Sequence, residues 1–468
     1  MDATDLCYMS ATELLDAYRE KTLSPVEVTE AILDRIERVN PALNAFVTIT
    51  SERARADAQT AERAWMQGEA TGALTGVPIS IKDITYTKGI RTTRGSLLYA
   101  NEVPDEDAPF VERVYAAGAV MLGKTNTPEL GWKGDSGNRV FGPTHNPWKH
   151  GRTAGGSSGG AAAAVGAGLG PLASGTDGAG SIRIPAGFCG VYGLKPSFAR
   201  VAYYPPSSVE KLAHIGPITR TVRDSALLMN VTAGADPRDA GTWPLTEDYL
   251  AACEGDIRGL RIAWSPDLGF ANVAPDVAAI TRQAAEKLVD LGCHVEEVEI
   301  GLPDPWPIVD TLWAVAQAGA HGDMYEQVKD QIDPGRIPII ERGRAMSAAE
   351  HYAAITARAS WADAMRRFMA NYDLLVTPQL PITAFPAGDH QPGEINGVPT
   401  TYLGWTAFTY PFNVTGQPAA TIPCGFAADG LPVALQFVGR WHDDATVLRT
   451  SAVWEEAFPW RQHRPPLD

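Results

Sequence analysis

Ser157 stands in the run Gly155-Gly156-Ser157-Ser158-Gly159-Gly160, and Ser181 follows 24 residues later in Gly175-Thr176-Asp177-Gly178-Ala179-Gly180-Ser181-Ile182-Arg183. Upstream, Lys82 closes an apolar stretch, Gly76-Val77-Pro78-Ile79-Ser80-Ile81-Lys82-Asp83. Two hydroxyls, one amine and a bed of backbone N–H groups supply a nucleophile, a proton relay, a base and donors for an oxyanion, the parts needed to attack an amide carbonyl. A serine hydroxyl is a poor nucleophile until a base takes its proton during attack. Lysine can be that base only where burial and loss of water favour its neutral form. Consecutive small residues before Ser181 let several N–H groups converge on the developing charge, each worth roughly 3 kcal/mol. The chain reads as a hydrolase.

Other readings of the same residues stand beside this one. Glycine-rich segments are often only turns. The run 155–160 lacks the GK[ST] ending of a phosphate-binding loop, and no GxGxxG follows a strand with an acidic residue about twenty positions later. Gly156-Ser157-Ser158-Gly159-Gly160 does satisfy GxSxG, which would make Ser158 the nucleophile of an α/β-hydrolase elbow, with Asp443 and His442 as late partners. That elbow needs a strand immediately before it, and residues 146–154 have the chemistry of a loop. The alternative uses both serines. A helix over 158–168 would be about 15 Å long, and a strand over 171–176 would return about 20 Å, so the spacing permits Ser181 to approach Ser157. Taken singly, Lys82-Asp83 reads as a surface ion pair, Asp177 with Arg183 as a structural pair beneath a site, and Cys189 as a small core residue.

The 468 residues suffice to bury a large core. A formal charge of −16 opposes binding to nucleic acid or an anionic membrane. Five scattered cysteines (Cys7, Cys189, Cys253, Cys293, Cys424) argue against a disulfide framework and for a reducing compartment. Met1-Asp2-Ala3-Thr4-Asp5 lacks the regions of a signal peptide, and no stretch has the apolar length of a membrane span. His145 and His150 are the closest of nine histidines, with no HxxxH or HExxH spacing, so no metal and no cofactor are expected. The expectation is a cytoplasmic enzyme.

Among the elements that must position these groups, Ser24-Pro25-Val26-Glu27 is a capping box opening a helix to about Val39, with Ile32, Ile36 and Val39 on one face. A second helix covers 51–67 and ends at Gly68. From residue 72 to about 223, short β-branched runs alternate with helical stretches and glycine turns, the pattern of an α/β sheet with covering helices. Strands are expected over 77–81 and from Val120, with a helix over 110–117. The later half continues with strands over 260–264, 294–300, 372–377 and 419–423, and helices over 275–291 and 352–369. A single domain over 1–468 is predicted, α/β in class, its mixed sheet covered by helices on both faces. Its core is expected in about 70–230 and 400–460, with a peripheral helical lobe over about 235–400.

At these residues the chain resembles the amidase signature family. The matching region is GGSSGGAAAAVGAGLGPLASGTDGAGSIRIPAGFCGVYGLKPSFARV over 155–201, preceded by GVPISIKD, GKTNTPELG from Gly123 and NPW at Asn146, and followed by GPITRTVRDSALLM from Gly216 and PVALQFVG from Pro432. The resemblance spans nearly the whole chain and implies cofactor-independent amide hydrolysis through an acyl-enzyme. Ser181 matches the nucleophile, Ser157 the middle serine after a cis peptide bond, and Lys82 the base. The N–H groups of Gly178, Ala179, Gly180 and Ser181 match the oxyanion hole. Ser158, Thr176, Asp177 and Arg183 match residues that organise the site by hydrogen bonds, and Gly131 and Trp132 match the acyl pocket. Ala179 departs from the two glycines that many members carry there; alanine keeps its N–H but disfavours positive φ, so the donor set is open.

The implied substrate is a small apolar or aryl amide, with carbamates (urethanes) and aryl esters presenting the same carbonyl. A pocket is expected from Trp132, Tyr203, Tyr204, Trp313, Trp405, Phe408 and Tyr410, which could equally be ordinary core. The enzyme is expected to act alone, as a monomer or homodimer. The alternative is a glutamine-hydrolysing amidotransferase subunit working with partner chains on aminoacyl-tRNA.

Overall fold

The β-branched runs pair into one sheet of eleven strands in a computed structural model that describes residues 2–467. The order across the sheet is Phe46–Ile49, Val120–Thr125, Pro78–Lys82, Leu172–Asp177, His214–Thr219, Tyr192–Lys195, Ala419–Phe426, Pro432–Gly439, Leu374–Pro378, Arg261–Trp264 and His294–Glu297. Pro78–Lys82 is parallel to both of its neighbours, whereas the middle of the sheet is antiparallel, so the sheet is mixed. Pro78–Lys82, Val120–Thr125 and Leu172–Asp177 are buried along their whole lengths. Strands buried at every position, on both faces, belong in the interior of a sheet covered on both sides.

Residues 235–400, expected as a peripheral helical lobe, are partly integral to the sheet. Three strands from this stretch, Leu374–Pro378, Arg261–Trp264 and His294–Glu297, extend one edge. Leu374, Leu375 and Val376 are fully buried and pair on both sides, which ties the stretch to the core. Its helix Trp306–Gly319 packs on Ile337–Ala345 and Ala348–Met369, and the three share a core cluster with Ala263, Leu375, Ala419 and Val438 of the sheet.

Local signals act as their chemistry dictates. Ser24 Oγ accepts from Val26 N at 3.0 Å while Glu27 reaches back to Ser24 N at 3.0 Å, and the helix Pro25–Leu43 runs past the expected end to Asn44 in the left-handed region. Gly68, at φ 75°, ends Ser51–Gln67.

The catalytic-type residues gather where the chain leaves the carboxyl ends of two parallel strands, the usual place for a site in such sheets. Lys82 ends its strand; Leu172–Asp177 lies beside it in parallel, Ile79 opposite Leu172, and runs on into the turn that carries Ser181. Ser157 precedes Gly159–Gly166, a short helix buried on all sides because only glycine, alanine and valine compose it. Gly160 lets that helix touch its neighbours. A methyl there would meet Asn126 N at 2.2 Å and Ala45 O at 2.5 Å, both backbone atoms that cannot swing aside. Gly160→Ala should therefore lower the folding free energy by about 1–3 kcal/mol in urea titrations. Gly319→Ala, where nothing lies within 4 Å, should be neutral or slightly stabilising; equal behaviour of the two variants would contradict the packing.

Candidate active site

Lys82 Nζ lies 2.7 Å from Ser157 Oγ and 2.8 Å from Thr176 Oγ1, with no solvent exposure. Its backbone N–H donates to Ser174 Oγ at 2.9 Å, which anchors the strand end. Burial pushes the amine well below the ordinary lysine range, and the negative charge of Asp177 opposes this only in part. Asp83 is not its ion-pair partner. That carboxylate is buried and accepts from Thr93 N at 3.1 Å and Thr93 Oγ1 at 2.5 Å.

The peptide bond between Gly156 and Ser157 is cis. The Ser157 carbonyl accepts from Ser136 Oγ at 3.2 Å, and Ser158 N donates to the Ser181 carbonyl at 3.1 Å, joining the two serine loops. Ser157 and Ser181 line the same cavity, of about 230 Å³, together with Gly131, Thr176, Asp177 and Gly178. Among the described residues the Ser181 hydroxyl has no hydrogen-bond partner. Ser158, the alternative nucleophile, is fully buried; its Oγ donates to Thr176 O at 3.3 Å and accepts from Thr176 N at 3.2 Å. It braces the strand and does not face the cavity.

Asp177 and Arg183 form a pair at 3.0 Å with no exposure on either side. Burial alone would raise Asp177, but the Arg183 guanidinium, then Lys195 and Asn413, hold it well below the usual carboxylate range. Arg183 also donates to Thr409 O at 2.9 Å, Gln436 Oε1 at 2.8 Å and Asn413 Oδ1 at 2.6 Å. The Asp177 carboxylate in turn accepts from Gly180 N at 2.7 Å and Ile182 N at 3.1 Å. This shapes the turn that carries Ser181 and bears on the expected donor set. The Gly180 N–H is committed to Asp177, leaving Gly178, Ala179 and Ser181 with N–H groups that meet no acceptor among the described residues. Gly180 is also where the positive φ falls, at 128°, and a Cβ there would strike Thr409 Oγ1 at 2.4 Å. Ala179 is outside the left-handed region, so its methyl is tolerated.

The expected aromatic pocket needs revision. Tyr203, Tyr204 and Trp313 line the cavity. Trp405, Phe408 and Tyr410 are buried in core clusters instead; Trp405 lies in the turn Gly404–Thr406, Tyr410 caps Pro411–Thr415, and Phe408 lies between them. Trp132 stacks on Tyr402 at 5.5 Å and borders only a narrow recess behind Ser181, while Gly131 borders both spaces. Cys189 is a core thiol donating to Ala154 O at 3.4 Å and pushed up by burial. Tyr86, Arg94, Tyr99 and Gln317 also line the cavity and were not foreseen. A signal existed for Gln317. It is a single amide one turn after Trp313, on the same helix face.

These geometries have counterparts. The family model described as Amidase matches residues 27–448. An acylamidase of Rhodococcus erythropolis is 40% identical over 478 residues, covering 99% of this chain and 98% of the relative. A glutamyl-tRNA(Gln) amidotransferase subunit of Chloroflexus aggregans (strain MD-66 / DSM 9485) is 39% identical over 492 residues, covering 99% of each. The crystal structure of a bacterial aryl acylamidase of the amidase signature enzymes superposes with a TM-score of 0.92 at 34% identity, covering 97% of each chain.

Removing one partner of a buried pair strands the other charge. Asp177→Asn should cost about 3–5 kcal/mol of folding free energy in urea titrations. Because the folded pKa of Asp177 is depressed, its contribution is present above the unfolded value of about 4 and is lost as pH falls through the folded value. A loss under about 1 kcal/mol near neutral pH would contradict the pairing.

Proposed function

The chain belongs to the amidase family of amide-bond hydrolases, and from that premise we propose that Ser181 attacks the substrate carbonyl while Ser157 and Lys82 carry its proton. The observation that supports this most is the buried amine 2.7 Å from Ser157 Oγ, beside the cavity that Ser181 also lines. A neutral lysine has two N–H donors and one lone pair. With an N–H given to Thr176, the lone pair can receive the Ser157 proton, and the freed Ser157 oxygen receives that of Ser181. The Ser181 Oγ–carbon bond forms as the carbonyl π bond opens, and the new oxyanion takes N–H donors from Gly178, Ala179 and Ser181. On collapse the C–N bond breaks, and the relay runs backward to protonate the leaving amine. Water then repeats the sequence on the acyl-enzyme.

The cavity wall supports an apolar or aryl amide, with carbamates and aryl esters as chemically equivalent carbonyls. Tyr86, Tyr99, Tyr203, Tyr204 and Trp313 provide aromatic surface. A free glutamine would ask the wall for groups opposite to its ammonium and carboxylate. Arg94, the cation in the wall, is already paired with Glu102 and lies 3.5 Å over the Tyr99 ring. The reading is thus of an enzyme acting on small molecules without nucleic-acid or membrane partners, as a monomer or homodimer.

Ser181→Ala should lower anilide hydrolysis by at least about 10⁴-fold and abolish labelling by a fluorophosphonate; a labelled, active variant would assign the nucleophile elsewhere. Lys82→Ala should lose about 10³-fold or more. Because only the neutral amine can accept a proton, kcat/KM should rise with pH through the lowered Lys82 pKa and then level off. A rising limb at the ordinary lysine value of about 10.4 would contradict that assignment. Turnover of anilides and not of glutamine by the isolated chain separates the hydrolase from an amidotransferase component.

A further inference from the structure

Resting on the amide-hydrolase reading, we propose that Gln317 is a fixed hydrogen-bond donor that selects substrates bearing a second acceptor atom. Gln317 lies on Trp306–Gly319, is 3% exposed and lines the cavity. Its Oε1 accepts from Arg336 Nε at 3.0 Å and Nη2 at 2.8 Å. Arginine only donates, so those two contacts identify the oxygen and turn the –NH₂ end of the amide away from Arg336. Nε2 donates to no described residue. A buried amide with one end fully used and the other facing a cavity wants an acceptor there.

The support behind it is equally specific. Arg336 is fully buried and paired with Glu129 at 3.1 Å; Glu129 also accepts from Ser96 Oγ at 2.9 Å and Asp333 N at 2.6 Å. Those contacts hold the guanidinium, and through it the amide, in one orientation. The position along the helix sets the spacing. Trp313, one turn earlier, packs against Gly178, where a Cβ would meet its ring at 3.0 Å. Four residues advance the helix by about 6 Å, so Gln317 meets the cavity one turn along from the residue that flanks Gly178, and the acceptor belongs on a substituent and not on the reacting carbonyl itself. An ether, a carbonyl or a second carbamate oxygen fits; a purely hydrocarbon substituent leaves the donor unsatisfied.

Calorimetry on the Ser181→Ala protein tests this without turnover, using two matched pairs of amides. 4-Methoxybutyranilide against hexanoanilide places an oxygen or a methylene on the acyl side; N-(4-methoxyphenyl)acetamide against N-(4-ethylphenyl)acetamide does so on the amine side. In one pair the oxygen-bearing ligand should bind about fivefold to tenfold more tightly. Adding Gln317→Leu should reduce that preference to within about twofold without weakening the hydrocarbon ligand. Gln317→Glu, which still accepts from Arg336 but presents no N–H, should lose the preference too. No preference in either pair, or equal weakening of both members, overturns the proposal. Turnover of the same four anilides by the natural enzyme reports separately. Hydrolysis without discrimination sinks the role of Gln317 alone, and discrimination without hydrolysis sinks the hydrolase reading alone.

Discussion

A lysine amine shut away from solvent is the constraint on which this site depends. Lys82 is wholly buried, and its immediate partners are hydroxyls and not carboxylates. Losing hydration disfavours the ammonium, whereas a bare carboxylate nearby would restore it. Asp177 is such a carboxylate, and Arg183 largely cancels it. The Arg183–Asp177 pair therefore acts at two places. It shapes the turn that bears Ser181, and it sets a positive charge against the carboxylate that would otherwise favour a proton on Lys82.

The sheet supplies the rest of the geometry at little cost. Two adjacent parallel strands end together, one in Lys82 and the other in the turn at Asp177. The all-small helix Gly159–Gly166 lets the Ser157 loop approach both. The carboxylate of Asp177 consumes the N–H of Gly180 and leaves three neighbours aimed elsewhere. That division explains why alanine serves at 179 while glycine is needed at 180.

Much of this was legible in the residues. The capping box at Ser24, the stop at Gly68 and the helix-and-strand return between Ser157 and Ser181 each rest on local chemistry. What escaped was set by distant packing. Whether Trp405, Phe408 and Tyr410 face substrate or core depends on the elements they pack against, and their identity alone is silent on that. Residues 235–400 looked peripheral because helices dominate them, yet three short strands join the sheet through pairings remote in sequence. Arg94 and Gln317 reach the cavity from segments more than two hundred residues apart, which no spacing rule connects.

The most direct test follows the side-chain nitrogen of Lys82 by NMR in ¹⁵N-lysine-labelled Ser181→Ala protein, assigned against the same protein carrying Lys82→Met. The predicted result is an amine that loses its proton well below the pH at which an exposed lysine does. An ammonium that persists to about pH 10, as an exposed lysine would show, would contradict the account.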